Sequence, residues 1–298
     1  MTLVLSIYIF ILIGFSAKYT LKERLDAKSL NLLSVYFLQP ILTLWGLLGR
    51  EIYVEHLSAP LFYLFIITIS AILSFIIAKI FFKDQKDRSI ASIAALVGNT
   101  GNLGIPLGIA LFGEVSIPYT TLINLANVFV VYTFGVYFYS RGTFSPKQSL
   151  FQIVKLPAIW FALFALILNL NNVVLIAEFK QVLLMGAYAS MVIQLILFGV
   201  YIREVRLSEL NIKLITTVSS IKFILIPLLT FFFLQFSSGS YMYKAILFME
   251  LFMPLAVANV NLSSLYNCKP VDVTALIFIT SLLFLVLFLF VQPILDHI

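Results

Sequence analysis

A chain of 298 residues that is 62% hydrophobic and 11% charged, with a mean hydropathy of +1.08, is not a soluble domain; soluble domains carry about 25% charged residues. Its net charge of +6 is no nucleic-acid signature, because the basic residues sit in the short loops between apolar runs. The lone cysteine, Cys268, excludes an intrachain disulfide and a multi-cysteine metal site, and the two histidines, His56 and His297, fall in a loop and at the terminus, so neither a metal nor a cofactor is expected.

A helix needs about 20 apolar residues to cross about 30 Å of hydrocarbon. Ten such runs are legible. The first covers 2–18 and has its positive residues behind it (Lys18, Lys22, Arg24, Lys28) rather than before it, the reverse of a cleavable signal, so a retained helix with its N-terminus outside is expected. The second, 30–49, contains Pro40 and Gln39, which with Gln194 of the seventh run is a weaker pathway candidate, and the third covers 57–81.

The fourth run, 89–113, is interrupted by Gly98-Asn-Thr-Gly-Asn-Leu-Gly-Ile-Pro106, which is poor helix material. An irregular backbone facing lipid would leave N–H and C=O groups unpaired at several kcal/mol each. Such a break survives at the midplane only where it is buried in protein or lines a polar cavity, and broken helices of this kind build the binding sites of many carriers. Asn99, Thr100, Gly101, Asn102, Gly104 and Pro106 are therefore candidate substrate-binding residues. The asparagines can instead serve to patch freed backbone groups.

The fifth run, 117–140, carries Asn124 and Asn127 one turn apart, with Tyr119, Thr120 and Thr121 before them. That stripe is either a pathway lining or a set of interhelical hydrogen bonds. After the connection 141–149, the sixth (149–170, with Pro157) and seventh (178–201, with Gln194) runs follow. The eighth, 212–236, contains Lys222 five residues before Pro227. Lys222 reads as a pathway residue, a snorkelling side chain or half of a structural ion pair. The ninth, 243–266, holds Glu250 one turn before Pro254, then Asn259 and Asn261, and the tenth covers 271–294. Glu250 is the candidate ion-coupling group, or an interfacial residue reaching water. Pro254, Asn259 and Asn261 join the substrate-binding candidates, the two asparagines again with backbone patching as the alternative.

The charges orient these runs. Lys18, Lys22, Arg24, Lys28, Lys79, Lys83, Lys86, Arg88, Arg141, Lys147, Lys155, Arg203, Arg206, Lys213 and Lys269 fall on one side; Arg50, Lys180 and Lys244 fall on the other. The positive-inside rule makes the first side cytoplasmic and puts both termini outside. The loop 141–149 divides the chain into five spans plus five. Five is odd, so two similar halves, 1–140 and 150–298, insert with opposite topology. The expected fold is an all-α integral membrane protein of ten helices in two inverted five-helix repeats. Helices four and nine are broken and cross at the midplane. Their half-helix N-termini, each carrying about half a positive charge, then suit an anion.

The stretch GNTGNLGIPLGIALFG (98–113), the span count, the outside termini and Pro254 in the ninth run together resemble the auxin efflux carrier family of membrane transporters. Plant members have a much longer central loop, so this chain looks like the short bacterial type, whose relatives carry malonate and malate. The resemblance implies the fold of the bile-acid sodium symporter superfamily, with a scaffold part, a transport part and substrate beside the crossover. It also implies residence in the inner (cytoplasmic) membrane and a possible homodimer. Sodium symporters of that superfamily place a glutamate a turn before the ninth-helix crossover, as Glu250 stands here, but their polar residue at the crossover is Pro254 in this chain.

The function expected is a secondary carrier of small organic anions, mono- or dicarboxylates such as malonate or malate, by alternating access driven by protons, sodium or voltage. No phosphate-binding loop is present to couple ATP. A membrane enzyme would need acids, bases or nucleophiles clustered at one depth, and no such cluster appears, so no catalytic residue is assigned. The competing reading is a membrane receptor or sensor that binds a small anion without moving it.

Overall fold

The computed structural model describes residues 2–48, 57–173, 175–203 and 211–291. Arg50, His56, Arg206 and His297 lie outside the described residues. Within them the chain is helical, and its extended contact is an antiparallel bridge between Gly98 and Leu255.

Helix α1 spans Thr2–Leu21. Asp26 accepts a hydrogen bond from the Lys28 N–H and starts α2, Ala27–Leu48. Helix α3 spans Ser58–Phe81, and Asp84 caps α4, Gln85–Ile93. After a break come α5, Ile105–Phe112, and α6, Ile117–Arg141. Then follow α7 (Pro146–Lys155), α8 (Pro157–Leu170), α9 (Ala177–Ile202) and α10 (Ile212–Leu234). The chain closes with α11 (Tyr241–Phe252), a second break, α12 (Ala258–Leu265) and α13 (Pro270–Phe290).

Six of these, α2, α3, α6, α9, α10 and α13, are long and apolar enough to cross a membrane, and a seventh is added if α7 and α8 form one span bent by 52°. The sequence predicts a single helix over 149–170. The structure instead has two, because Ser145 and Gln148 form a reciprocal capping box that starts a helix at Pro146, and Pro157 cannot continue it. The connection expected over 141–149 is correspondingly shorter.

Prolines leave a regular mark on the long helices. Wide π-helical turns cover Ser34–Leu38, Thr100–Gly104 and Ile221–Leu225, each ending two residues before Pro40, Pro106 and Pro227. A proline ring collides with the carbonyl four residues back. Widening the turn that holds that carbonyl relieves the collision without ending the helix.

The helices pack in two groups. In the first, α1 runs along α9, and α2 lies against both α8 and α9. Glycine permits the closest approach: a Cβ on Gly199 would fall 1.9 Å from the Ile11 carbonyl oxygen, and one on Gly14 would fall 2.0 Å from that of Ile196. Leu44, Leu47, Ala162, Ala165 and Leu183 make a small core joining α2, α8 and α9. The second group, α3 to α6 and α10 to α13, surrounds the main core, in which Ile66, Ile93, Leu96, Leu247, Met253, Leu255 and Val260 are fully buried. Outward faces such as Leu61, Ile72, Ile76 and Ile80 of α3 remain apolar and exposed, as a lipid-facing surface requires.

Candidate functional site

The two breaks meet. Helix α4 ends at Ile93, a tight turn covers Ala94–Leu96, and helix resumes at Thr100. Met253–Val257 separates α11 from α12. The Asn99 N–H donates to the Pro254 carbonyl at 2.8 Å, and the Ala256 N–H donates to the Val97 carbonyl at 2.9 Å. Each break thus supplies the backbone partners that the other lacks, which lets irregular chain exist at this depth.

The sequence predicts the first break over Gly98–Pro106, whereas the irregular residues are 94–99. Gly101, Gly104 and Pro106 belong to the helical turns that follow, because the wide turn over Thr100–Gly104 accommodates the proline ring without ending the helix. The side chains of Asn102 and Pro106 lie outside the described residues.

Polar side chains complete the crossing. Asn127 Nδ2 donates to the Gly98 carbonyl at 2.8 Å, and the Tyr63 hydroxyl donates to Asn127 Oδ1 at 3.1 Å. The Thr100 hydroxyl donates to Asn124 Oδ1 at 3.0 Å, and Gly101 is bare because a Cβ there would fall 2.7 Å from the same oxygen. Asn259 is fully buried; its Nδ2 reaches the carbonyls of Ala256 (3.1 Å), Val97 (3.2 Å) and Ala94 (3.4 Å), while Tyr139 donates to its Oδ1 at 2.8 Å.

A cavity of about 330 Å³ lies between the two helix groups, beside the crossing. From the first group it is lined by Gln39, Thr43, Trp45 and Leu47 of α2 and by Met191 and Gln194 of α9. From the second come Gly98, Asn99, Gly101 and Ile105, then Thr121, Asn124, Asn127 and Tyr132 of α6, and Ala256–Ala258. Among the described residues, no side chain of the lining carries a charge. Gly101 and Ala258 occupy the first turns of their helices, where N–H groups have no intrahelical acceptor. Positive dipole ends from both broken helices therefore meet at one wall.

Of the residues singled out from the sequence, Asn99, Gly101, Asn124 and Asn127 line this cavity, whereas Thr100, Gly104, Pro254, Asn259, Asn261, Glu250 and Lys222 are not among its lining residues. Glu250 is fully buried, its carboxylate packed on Gly104, and neither carboxylate oxygen has a hydrogen-bond partner. Lys222 is 1% exposed, with its Nζ 3.2 Å from where a Cβ on Gly98 would stand. The two interact electrostatically at the back of the crossing. Sequence reasoning gave little weight to Gln39 and Gln194 and missed Thr43 and Trp45. The signal on α2 was present: Gln39, Thr43 and Gly46 recur at i, i+4 and i+7, a polar and small stripe on one helix face.

Away from the cavity, α12 is tied to the first helix group by Asn31 Nδ2 donating to the Asn261 carbonyl at 2.9 Å and by a 2.7 Å hydrogen bond between the Tyr201 and Ser264 hydroxyls.

Broken helices joined back to back, with a neutral polar cavity beside them, agree with a sequence comparison over the whole chain. The family model described as membrane transport protein matches residues 1–291. The chain belongs to this family. It is the auxin efflux carrier family that the 98–113 stretch resembles. The transporter is also 25% identical, over 94% of each chain, to an uncharacterized transporter of Methanocaldococcus jannaschii. The transporter is thus a multi-pass membrane protein of a membrane transport family.

Proposed function

We propose that this transporter is a secondary carrier of small organic anions that works by alternating access. The observation that carries the reading is the cavity between two helix groups, with the starts of two broken helices at its wall. An anion there would meet N–H donors and positive dipole ends. Rocking of the second helix group against the first would expose that wall to one side and then the other.

In this reading the chain has ten spans in two inverted five-helix repeats, 1–140 and 150–298, joined through 141–149. The pair α4 and α5 forms the fourth span, and the pair α11 and α12 forms the ninth. The loops rich in lysine and arginine are cytoplasmic and both termini are outside, in the inner (cytoplasmic) membrane. The cavity then lies in the outer half of the bilayer, because Gln39 to Leu47 runs toward the outer end of α2. Glu250 is the coupling residue: a buried carboxylate with both oxygens unmet is a place that a proton or small cation would satisfy.

The test is uptake by proteoliposomes of malonate, malate and succinate, and of monocarboxylates of the same size, under imposed proton, sodium and voltage gradients. Gradient-dependent accumulation, lost or uncoupled in Glu250→Gln, is expected. Saturable anion binding with no accumulation under any gradient would replace the carrier reading with that of a receptor.

A further inference from the structure

The polar face of α2 does not stop at the cavity. A helix turns about 100° per residue. In an uninterrupted helix Asn31, Ser34, Gln39, Thr43 and Gly46 would therefore spread over about 180° of the circumference. The π turn at Ser34–Leu38, closed by the Gln39 N–H on the Ser34 carbonyl, holds one residue more than an α turn. Every later residue is set back by about one position, and the same five side chains then fall within about 80°. One continuous face of polar and small residues thus runs along α2. Gln39, Thr43 and Gly46 line the cavity, and Asn31 and Ser34 continue the face toward the lysine-rich end.

That continuation is shut. Asn31, Ser34 and Asn261 are 1%, 0% and 2% exposed, and Asn31 Nδ2 donates to the Asn261 carbonyl, so α2 and α12 touch here. Yet Asn31 Oδ1, Ser34 Oγ and both the Nδ2 and the Oδ1 of Asn261 have no hydrogen-bond partner among the described residues. Buried side-chain polar atoms are ordinarily paired, and leaving them unmet is costly. A seam built only to hold two helix groups together is better made of apolar residues, as Leu44, Leu47, Ala162 and Leu183 make the core between α2, α8 and α9. Unmet amides and hydroxyls belong to a surface that is wet in another conformation. Helix α9 repeats the arrangement. Its Gln194 lines the cavity, and Tyr201, seven residues on and on the same face, closes against Ser264 of α12.

We propose that Asn31, Ser34 and Asn261 line a second chamber of the path, shut in this conformation, through which a hydrated solute passes on the lysine-rich side. The π turn of α2 keeps one polar face aligned through both chambers. This inference rests on the alternating-access reading and adds the residues of its closed half.

If the cavity and the seam are two halves of one path, the seam opens only when the cavity closes. Gly46 provides the means to prevent that: it lines the cavity, and a Cβ there would meet no described atom within 4 Å. Gly46→Leu therefore wedges the cavity open without a clash. The reporter is Asn261→Cys in a Cys268→Ala protein, which leaves the backbone carbonyl bonded to Asn31 intact; Ser34→Cys, a one-atom change, is the second reporter. Each is reconstituted in proteoliposomes and exposed to a membrane-impermeant maleimide on one side or the other. Slow labelling from the lysine-rich side alone is expected, and Gly46→Leu should slow it by about fivefold or more without lowering the thermal midpoint. Seam residues that merely fray would label at the same rate with and without the wedge, and that result overturns the proposal. So does labelling that is equal from both sides, or none at either reporter. A protein that gives any of these results yet accumulates an anion under a gradient remains a carrier with a different closed half. One that also accumulates none of the tested acids overturns both readings.

Discussion

The carboxylate of Glu250 rests on the bare α-carbon of Gly104: a Cβ on Gly104 would fall 2.2 Å from Oε2 and 2.6 Å from Oε1. The buried acid of one broken helix is thereby seated on the first turns of the other. Gly104→Ala therefore forces either the carboxylate or the crossing to move. Overpacking of this kind costs about 1–3 kcal/mol, and the thermal midpoint of the purified protein should fall accordingly. Glu250→Gln keeps the volume and avoids that clash, and in it uptake should lose its dependence on the driving gradient. A Gly104→Ala protein of unaltered stability and coupling would show that the contact is not maintained in the membrane.

Asn127 holds the first break from the side of α6. Its amide donates to the Gly98 carbonyl, and its oxygen accepts from Tyr63. Asn127→Ala leaves two buried polar groups unmet, at about 1–3 kcal/mol each, and is expected to lower the thermal midpoint sharply. Tyr63→Phe removes one donor to an oxygen that still borders the cavity, so its cost should be nearer 1 kcal/mol. Equal effects of the two variants would mean that the Gly98 contact contributes nothing.

These contacts explain what could be read from the sequence and what could not. The apolar runs and the glycine-rich break are local properties, and each long helix is placed within a few residues of its expected span. The position of the break was misjudged because its true limits depend on partners far along the chain. Gly98, Asn99 and Leu255 are irregular because each faces the other segment, and no spacing within 98–106 encodes that. The asparagines were legible as a class but not by role. Asn259 patches three carbonyls, while Asn124 faces the cavity, and only packing distinguishes them. Gln39 drew only weak attention as a pathway candidate and Trp45 none, because an isolated glutamine or tryptophan in an apolar run is ordinary, and the wall they share with α6 is a tertiary feature.

A charged cluster between the spans gives a pH-dependent prediction. Asp84 caps α4 by accepting from the Asp87 N–H at 3.0 Å, and Lys269 bridges Asp84 (2.9 Å) and Asp87 (2.6 Å). The cap hydrogen bond, aided by Lys269, holds the Asp84 carboxyl below its ordinary value. Burial pulls the Lys269 ammonium down, but its hydrogen bonds to Asp87 and Asp84 outweigh this and leave it above its ordinary value. A depressed acid stabilises the fold above its unfolded pKa, about 3.9, and loses that contribution as the pH falls through the folded value. A raised lysine stabilises below its unfolded pKa, about 10.4, and loses it as the pH rises through the folded value. Both contributions are therefore full at neutral pH. Asp84→Asn keeps the cap and removes the charge. It should lower the thermal midpoint slightly near pH 7, by less than about 1 kcal/mol since the pair is partly exposed, and the difference should shrink as the pH falls through the lowered Asp84 value. Asp84→Ala also loses the cap and should cost about 1 kcal/mol more. A difference between Asp84→Asn and the parent that does not shrink at any acid pH would exclude the ion pair as its cause.

The hydrogen bonds from Asn31 to Asn261 and between Tyr201 and Ser264 fasten α12 to α2 and α9, away from the cavity. In an alternating-access carrier, contacts that close one face must break when that face opens, so their removal should shift the population toward the other state. Ser34 is a suitable reporter, because it is fully buried on α2 one turn from Asn31. The native thiol must first be removed. Cys268 is buried and its thiol is pushed up to about 12, which makes it unreactive, but Cys268→Ala gives a clean background. In a Cys268→Ala, Ser34→Cys protein, a membrane-impermeant maleimide should label slowly. Adding Asn31→Ala and Tyr201→Phe should raise the rate several-fold, from the lysine-rich side of the membrane alone. Each hydrogen bond contributes about 1 kcal/mol, so losing both can change the ratio of the two states by about 30-fold. Labelling that stays slow, or that rises equally from both sides, would mean that these bonds brace the fold without acting as a gate.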